Sequence, residues 1–352
     1  MSLEKISAAE ALSTLGNFSD VIDARSEGEF AEDHLPGAIN WPSLHDDERQ
    51  IVGTQYKQIN AFEAKKLGAA LVAKNIAAHI ERDVIAKPRE WQPLVYCWRG
   101  GKRSGSLALI LDQIGFKVTL LEGGYKAFRA ALVNDIPHLA ARYSYRVICG
   151  TTGSGKTRLL QALKAQGAQV LDLEALANHR SSVLGVMPGK PQPTQKAYDS
   201  LIWAALQGFD PALPVYIESE SKKVGNVAIP EGLITAMRTA PCLQIELPED
   251  SRVALLLEDY DFFLQDIEFF CERLGALTQA RGKEVVADWQ ARARSGDVAS
   301  VVRELLVKHY DPVYIQSMKR NFDLYGEAQT LRPAGHSVAA MEALARGMVG
   351  TQ

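Results

Sequence analysis

Short apolar runs alternate with helix-like spacing in the N-terminal part of the chain. Runs at residues 21–24, 94–96 and 118–121 are typical of buried strands, and residues 104–114 have the apolar spacing of a helix. Strands that alternate with helices predict a parallel or mostly parallel sheet. We therefore predict an N-terminal α/β domain that occupies residues 1–139.

The alternation stops around Pro137 and resumes at residue 145, which indicates a second domain at residues 140–352. Its predicted core strands are the apolar runs at 145–149, 169–173, 215–217 and 243–247. From Ser251 onward the spacing is helical, and no run there has comparable strand character. The second domain is thus predicted to be α/β with a helical C-terminal region.

The composition fits two globular domains. The chain has 352 residues, of which 47% are hydrophobic and 23% are charged, and this is enough for two cores. The formal net charge of −3 excludes a globally basic nucleic-acid-binding protein but leaves room for a local basic face. No apolar run reaches the ~20 residues of a membrane span, and the first residues lack a signal-peptide core. The sequence predicts a cytoplasmic protein that does not act at a membrane.

The chain has few cysteines, and their spacing argues against disulfide bonds and cysteine-based metal sites. The four cysteines are Cys97, Cys149, Cys242 and Cys271. They lie far apart and form no C-x-x-C pair, so neither a disulfide framework nor a cysteine-rich zinc site is expected. No permanent metal site is predicted.

A phosphate-binding loop follows the first strand of the second domain. It matches the G-x-x-x-x-G-K-[ST] pattern in full and consists of Gly150, Thr151, Thr152, Gly153, Ser154, Gly155, Lys156 and Thr157. Backbone N–H groups and a helix N-terminus both point at the anion in such a loop, and the lysine adds a positive charge. The threonine hydroxyl commonly reaches a magnesium ion, and Asp172 and Glu218 are candidates for the acidic group that orients that ion.

A second anion-binding loop begins at Cys97, directly after a predicted strand. It consists of Cys97, Trp98, Arg99, Gly100, Gly101, Lys102, Arg103 and Ser104. Helix N-termini and neighbouring cations favour a reactive thiolate, so Cys97 is predicted to be catalytic. The other three cysteines lie in apolar runs or on a core strand and are predicted to be packing residues.

The residues around these loops resemble two known families. Segments 23–30 and 34–40 are similar to the upstream signature of rhodanese-type sulfurtransferase domains, which carry sulfur or selenium on a cysteine equivalent to Cys97. A rhodanese-like domain followed by a phosphate-loop domain resembles the bacterial tRNA 2-selenouridine synthase family across essentially the whole chain. Shorter matches lie at 171–180, 192–196 and 218–223.

This resemblance implies a two-step enzymatic reaction on 2-thiouridine at the wobble position of tRNA, with lysine, glutamate and glutamine tRNAs as the expected acceptors. The sulfur is first alkylated with geranyl diphosphate, and selenium from selenophosphate then replaces the S-geranyl group through Cys97. The two donors are co-substrates, and no permanent cofactor is implied beyond a magnesium ion at the phosphate loop.

One departure from the rhodanese pattern keeps other functions open. Arg103 follows Cys97 at six residues rather than five, and this C-x5-R spacing is also used by cysteine phosphatases. Tyr96 stands where those phosphatases commonly have histidine, which argues against them. The alternatives are a cysteine phosphatase, or a sulfurtransferase, fused to an NTP-dependent regulatory phosphate-loop domain.

Three further segments bear on ligand binding. Tyr260, Phe263, Ile267 and Phe270 fall on one stripe if the segment is one helix, and such a stripe suits either a core or an isoprenoid slot. Residues 185–194, with three prolines, are predicted to form a loop over the phosphate site. A basic segment is the predicted tRNA contact. Its cations are Arg281, Lys283, Arg292, Arg294, Arg303, Lys308, Lys319 and Arg320.

Overall fold

The computed structural model describes residues 3–180, 185 and 189–350. The chain forms two compact units. Unit 1 contains Met1–Ile136 together with Thr194–Ala204, and unit 2 contains Pro137–Pro193 together with Ala205–Gln352. One segment from the second half of the sequence therefore packs with the first half.

Unit 1 contains a five-stranded sheet. Its strands are β1 Glu4–Ile6, β2 Asp20–Asp23, β3 Ala38–Asn40, β4 Pro93–Tyr96 and β5 Thr119–Leu121. They are all parallel, in the order β1-β5-β4-β2-β3, so β4 is the central strand. All four β4 residues are buried, as expected for a strand covered on both faces.

Helices follow most of these strands. They are α1 Ala8–Thr14, α2 Glu27–Glu32, α3 Asp46–Gln58, α4 Ala61–His79, α5 Lys102–Ile114 and α6 Gly124–Ala140. Asn60 caps α4 because its side-chain oxygen accepts hydrogen bonds from the N–H groups of Phe62 and Glu63. The core of unit 1 packs side chains of the central strands against α5, including Ile22, Val95 and Leu107.

A buried ion pair lies at the end of β2. Asp23 and Arg25 are 0% and 1% exposed, and the Arg25 Nη2 lies 2.6 Å from Asp23 Oδ2. Arg25 also donates to the Asp33 carbonyl and lies 4.0 Å from the centre of the Tyr125 ring. The pair therefore ties the two ends of the strand–turn–helix segment that carries the rhodanese signature.

The segment Thr194–Ala204 is held in unit 1 by polar contacts. It forms most of helix α9 (Gln195–Gln207). Lys196 pairs with Glu32 at 2.6 Å, and Asp199 pairs with Arg129. Ser200 donates to the buried Asp33 carboxylate at 3.1 Å. Because Asp33 is buried and Arg129 is partly buried, these contacts make the segment part of the packed structure of unit 1.

Unit 2 contains a second five-stranded parallel sheet, in the order β12-β11-β6-β8-β7. Its strands are β6 Tyr145–Cys149, β7 Gln169–Leu171, β8 Val215–Glu218, β11 Cys242–Ile245 and β12 Gln329–Leu331. A separate antiparallel hairpin pairs β9 Lys223–Val224 with β10 Val227–Ala228. The central strand is β6, which leads into the phosphate-binding loop.

The helices of unit 2 include a C-terminal helical region. They are α7 Lys156–Ala165, α8 Leu173–Leu176, α10 Glu231–Arg238, α11 Glu249–Asp259, α12 Asp261–Gln265, α13 Ile267–Gly275, α14 Thr278–Arg281, α15 Lys283–Arg294, α16 Val298–Leu305, α17 Asp311–Asn321 and α18 Val338–Val349. Phe270, Trp289 and Leu305 belong to a separate helical core. No helix within the described ranges has both the length and the apolar character that crossing a bilayer requires.

The predicted α/β class with a helical C-terminal region is confirmed, but several elements differ. The edge strands β1, β3 and β12 have three residues each, too few to show a strand period in the sequence. Helix α6 continues through Pro137 to Ala140, although the sequence pattern stops around that proline. Gly232 packs closely on Pro137, since a Cβ added at Gly232 would lie 2.7 Å from the Pro137 Cα. This packing supports the helix at Pro137 despite the missing backbone donor.

The buried pair gives a stability prediction. The Asp23→Ala variant leaves the Arg25 charge buried without its carboxylate, and we expect the free energy of unfolding to fall by about 3–5 kcal/mol. Urea denaturation followed by circular dichroism measures this. The matched control is Glu4→Gln, which breaks an exposed pair with Lys117 and should change stability by less than about 1 kcal/mol. Equal losses in both variants would contradict the prediction.

Two candidate anion-binding loops

The Cys97 loop leaves the C-terminal end of the central strand β4 and enters α5. The Cys97 sulfur accepts hydrogen bonds from the backbone N–H of Gly101 at 3.3 Å and from the Ser104 hydroxyl at 3.1 Å. The loop therefore curls around its own thiol and presents backbone donors from the start of a helix. These donors can stabilise either a bound anion or the thiolate form of Cys97.

A second helix start supports the loop from behind. The N–H groups of Tyr125 and Lys126, in the first turn of α6, donate to the carbonyls of Cys97 and Trp98 at 2.8 and 3.0 Å. Gly124 makes this approach feasible, because a Cβ there would lie 2.2 Å from the Cys97 carbonyl oxygen. The φ of +57° at Gly124 also favours glycine. The loop conformation is thus fixed by backbone contacts.

The three basic residues of the loop differ in their surroundings. Arg99 and Lys102 are exposed, and within the described parts of the chain neither side chain has an ion-pair partner. Arg103 instead donates to Glu29 at 2.6 Å. Burial alone would raise the pKa of Glu29, but the hydrogen bond and charge of Arg103 hold it below its usual value of 4.5. Arg103 therefore anchors the loop to α2, while Arg99 and Lys102 are the cations available to a ligand.

The Trp98 side chain extends this site. Its ring stacks on Tyr125 with centroids 5.5 Å apart, and the Lys196 ammonium lies 6.0 Å from the Trp98 ring centre. Lys196 belongs to the segment of α9 that packs in unit 1. Local sequence pattern does not place Lys196 beside the cysteine loop, because the two lie about a hundred positions apart.

The phosphate loop has the expected strand–loop–helix context between β6 and α7. Lys156 Nζ donates to the Gly150 carbonyl at 2.7 Å and lies 5.4 Å from the Tyr314 ring centre. The Gly150 N–H donates to the Tyr314 hydroxyl at 2.7 Å. Ser154 Oγ is buried with no hydrogen-bond partner among the described residues. Backbone and side-chain contacts thus hold Lys156 and Gly150 in place at the loop.

The phosphate loop opens into a cavity of about 1060 Å³ within unit 2. Lys156 and Thr157 line it, as do Lys190 and Gln192 from the predicted proline-rich loop. Gln192 also accepts a hydrogen bond from the Asn226 N–H at 2.8 Å, which ties the proline-rich loop to the β9–β10 hairpin. Of the predicted loop 185–194, residues 186–188 lie outside the described residues.

The carboxylates near the phosphate loop divide into structural and ligand-facing groups. Asp172 accepts from the Ala175 N–H and caps α8, and Glu218 accepts from the Glu174 N–H at 2.7 Å. Burial raises the pKa of Glu218 well above its usual value, and the nearby Asp172 and Glu174 raise it further. Neither Asp172 nor Glu218 lines the cavity, whereas Glu174 does. Glu174 accepts from the Thr157 hydroxyl at 3.3 Å and is the carboxylate that sequence reasoning missed.

These oxygens fit a magnesium ion brought by a phosphorylated ligand. Magnesium in phosphate-loop sites is held by one or two protein oxygens together with substrate phosphates and water. Thr157 and Glu174 supply such oxygens beside the loop. No group of three or more histidine, cysteine, aspartate or glutamate side chains suited to a metal occurs among the residues described.

A small apolar cavity of about 50 Å³ adjoins the larger one. Tyr260, Phe263 and Phe270 line it, and Tyr260 also lines the large cavity. The expectation of one continuous helical stripe is wrong, because the chain breaks between α11, α12 and α13 and Asp266 caps α13. The aromatic residues nevertheless converge on the phosphate loop.

Four of the eight cations in the predicted basic segment, Arg292, Arg294, Arg303 and Lys308, form ion pairs among the described residues. Arg292 pairs with Glu304, Arg294 with Glu268, and Arg303 with Glu249. Arg281 donates to His309 Nδ1 at 3.0 Å. The role predicted for the segment in tRNA contact stays a prediction.

Two family models match the chain. The rhodanese-like domain matches residues 7–131, and the tRNA 2-selenouridine synthase AAA domain matches residues 143–280. Together with the two loops, these matches define a rhodanese-like domain joined to a phosphate-loop domain.

Individual relatives extend the match over most of the chain. The chain is 32% identical over 341 residues to a tRNA 2-selenouridine synthase of Alcanivorax borkumensis, an alignment that covers 88% of this chain and 92% of the relative. It is 36% identical over 244 residues to that of Nitrosomonas europaea, covering 68% of this chain and 63% of the relative, so this match spans less than two thirds of that relative's length. The chain belongs to the tRNA 2-selenouridine synthase family, a family of enzymes.

Among solved structures, the N-terminal domain of a Clostridium difficile 630 protein is 35% identical to this chain. The match covers 37% of this chain and 97% of that domain, with a TM-score of 0.32.

The Arg103–Glu29 pair gives a pH prediction. Because the pKa of Glu29 is lowered in the folded state, the pair stabilises the protein above about pH 4.5, and this stability is lost as the pH falls through the folded-state pKa. Glu29→Gln should therefore be less stable than wild type by about 1–2 kcal/mol at pH 7, with the difference closing on acidification. Urea denaturation from pH 7 to pH 3.5 measures it. A difference that stays constant over this range would contradict the assignment.

Proposed function

We propose that this protein converts 2-thiouridine to 2-selenouridine at the wobble position of tRNA in the cytoplasm. The observation that carries the proposal is the presence of both anion-binding loops in a member of this family. One loop surrounds a thiol, and the other opens into a cavity that adjoins an apolar recess. A phosphatase or a simple sulfurtransferase uses only the first.

In the first step, the phosphate loop binds geranyl diphosphate and the uridine sulfur displaces the diphosphate. Lys156 and the backbone donors of the loop stabilise the negative charge that develops on the leaving group. The apolar recess beside Tyr260 accepts part of the geranyl chain. Thr157 and Glu174 would hold a magnesium ion beside the loop, and the ion would supply charge neutralisation.

The large cavity has room for the nucleobase as well as the diphosphate. Tyr260 faces it, with the Arg180 guanidinium 4.4 Å from its ring centre. Stacked aromatic and guanidinium planes are the surfaces on which RNA-binding proteins place unstacked bases. A wobble uridine turned out of the anticodon loop therefore has a surface to stack on next to the phosphate loop.

In the second step, selenium from selenophosphate replaces the geranyl thiolate at the uridine C2. The Gly101 N–H and the Ser104 hydroxyl donate to the Cys97 sulfur, and the same loop carries the exposed cations Arg99 and Lys102, which suits a phosphate-sized oxyanion. The C-x5-R spacing is consistent with this, because the longer loop leaves its exposed cations free while Arg103 anchors it. Lysine, glutamate and glutamine tRNAs are the proposed acceptors.

Cys97→Ser tests the second step. We expect selenation to be lost and S-geranylated tRNA to accumulate, because alkylation needs no protein nucleophile. Mass spectrometry of tRNA nucleosides after incubation with both donors measures the two products. The appearance of normal amounts of 2-selenouridine with the variant would rule out Cys97 as an essential residue.

Lys156→Ala tests the first step. We expect geranylation to fall by at least about 100-fold, since the diphosphate loses its main positive charge. Selenation of tRNA that is supplied already S-geranylated should continue. Lys164→Ala is the matched control, since Lys164 lies exposed in the last turn of the same helix. Loss of selenation with geranylation retained would reverse the assignment of steps to loops, and loss of both would indicate one composite site.

A further inference from the structure

Two exposed lysines on the wall of the unit 2 cavity have no part in the proposed steps. Lys190 comes from the proline-rich loop and Lys223 from strand β9, and both line the cavity. Lys222, directly before Lys223, is exposed as well. Among the described residues, none of these three ammonium groups has an ion-pair partner. We call Lys190, Lys222 and Lys223 the basic edge of the cavity.

The segment that carries two of these lysines separates its charges. Glu218 and Glu220 are only 2% and 5% exposed, whereas Lys222 and Lys223 are exposed. The Ser221 hydroxyl between them donates to the Lys223 carbonyl at 2.9 Å and shapes the turn. The whole chain has a formal net charge of −3. A surface with exposed cations and buried acids is therefore a local positive feature, which attracts anions.

One side chain fixes the basic edge to the cavity. The Gln192 amide donates from Nε2 to the carbonyls of Ala177 and Val224, at 3.2 and 3.0 Å. Gly225 leaves room for this amide, because a Cβ there would collide with it, and the φ of +58° also favours glycine. The amide thus joins the proline-rich loop, the end of α8 and the β9–β10 hairpin, and it holds the lysines of two segments at one cavity.

Other cations on the cavity wall are engaged in contacts of their own. Lys156 belongs to the phosphate loop and donates to a loop carbonyl at 2.7 Å. Arg158 pairs with Asp259 at 2.6 Å. Arg180 donates to the Asp259 carbonyl and lies over the Tyr260 ring. The basic edge therefore adds positive charge beyond what the phosphate loop and the packing of the wall require.

A nucleotide whose base enters a cavity leaves its phosphates outside. Enzymes that modify a base take it out of the stack by turning the nucleotide about its backbone. The phosphates on either side of that nucleotide then lie at the mouth of the cavity, and each brings a negative charge. Phosphate contacts of this kind position a nucleic acid without reading its sequence. Exposed lysines on the cavity wall have the charge and the reach to make them.

We propose that the basic edge binds the RNA phosphates next to the wobble nucleotide and so holds the anticodon loop over the cavity. This inference rests on the proposed function, because it requires the uridine to enter the cavity of unit 2. The isoprenoid donor carries phosphates too, but the phosphate loop and Lys156 provide for that diphosphate. The basic edge touches the RNA away from the reacting atoms.

The test measures binding of the full chain to fluorescently labelled 2-thiouridine tRNA over a range of salt concentrations. For Lys222→Gln/Lys223→Gln we expect Kd to rise by about tenfold and the slope of log Kd against log salt to become shallower by about 0.7 for each lysine, because each lost phosphate contact releases fewer counterions. Adding Lys190→Gln should enlarge both changes. Lys222→Arg/Lys223→Arg should bind like wild type, since arginine keeps the charge.

Two further measurements separate RNA binding from other roles of these lysines. In geranylation, the KM for tRNA should rise while kcat stays within about twofold of wild type, and the affinity for geranyl diphosphate, measured by calorimetry, should stay within about threefold. The matched control is Lys57→Gln/Lys164→Gln, which removes two lysines that lie exposed in the last turns of α3 and α7. It should keep the wild-type Kd and salt slope.

The outcomes distinguish this inference from the proposed function. If wild type binds and modifies the tRNA and Lys222→Gln/Lys223→Gln keeps the same Kd and salt slope, the basic edge is not an RNA-binding surface, while the proposed function stands. A loss of geranyl diphosphate affinity in that variant also overturns the inference, since it assigns the lysines to the donor. If wild type neither binds nor modifies the tRNA, the proposed function fails and this inference fails with it.

A parallel variant tests the other candidate surface for the tRNA. Lys319→Gln/Arg320→Gln removes two exposed cations of α17 that belong to the predicted basic segment. A shallower salt slope in this variant alone would assign the phosphate contacts to the helical C-terminal region and would contradict the role of the basic edge. A shallower slope in Lys222→Gln/Lys223→Gln, with or without a change in the α17 variant, is the expected result.

Discussion

Both candidate sites depend on one constraint, the direction of a parallel sheet. A central strand whose neighbours are parallel must end at the same edge as they do, and the chain then turns into a helix whose first N–H groups have no partners of their own. β4 ends in the Cys97 loop, and β6 ends in the phosphate loop. The anion-binding donors in both units are therefore a by-product of the fold, and the side chains decide which anion is useful.

The two loops use the same backbone device for different chemistry. In unit 1 the donors surround a sulfur atom, and exposed Arg99 and Lys102 extend the positive charge outward. In unit 2 the donors face a cavity that combines a lysine, a threonine–glutamate contact and aromatic walls. The first environment suits a nucleophile or a small oxyanion, and the second suits a diphosphate that carries an apolar chain.

The sequence predicted those features that depend on local pattern. The β4 and β6 strands, the two loops and the overall α/β class follow from short apolar runs and from motifs with fixed spacing. The edge strand β12 did not, because three residues with one buried side chain carry no period. Glu174 lies in a matched segment but was not among the predicted carboxylates, since its role at the cavity depends on how α8 folds against the loop. Asp172 and Glu218 stood out in the sequence at strand ends, yet the first caps a helix and the second is buried behind the cavity.

The placement of Thr194–Ala204 in unit 1 has a consequence for how this protein can be divided. A fragment cut after the first 139 residues would lack Ser200 and Asp199, leaving the buried Asp33 and the Arg129 guanidinium without these partners. A fragment beginning at residue 140 would contain helix α9 but not Phe128, against which Trp203 of that helix packs. Neither fragment would therefore keep all the contacts of its unit. An exchange of one fragment between relatives would have to preserve the residues that meet across this boundary.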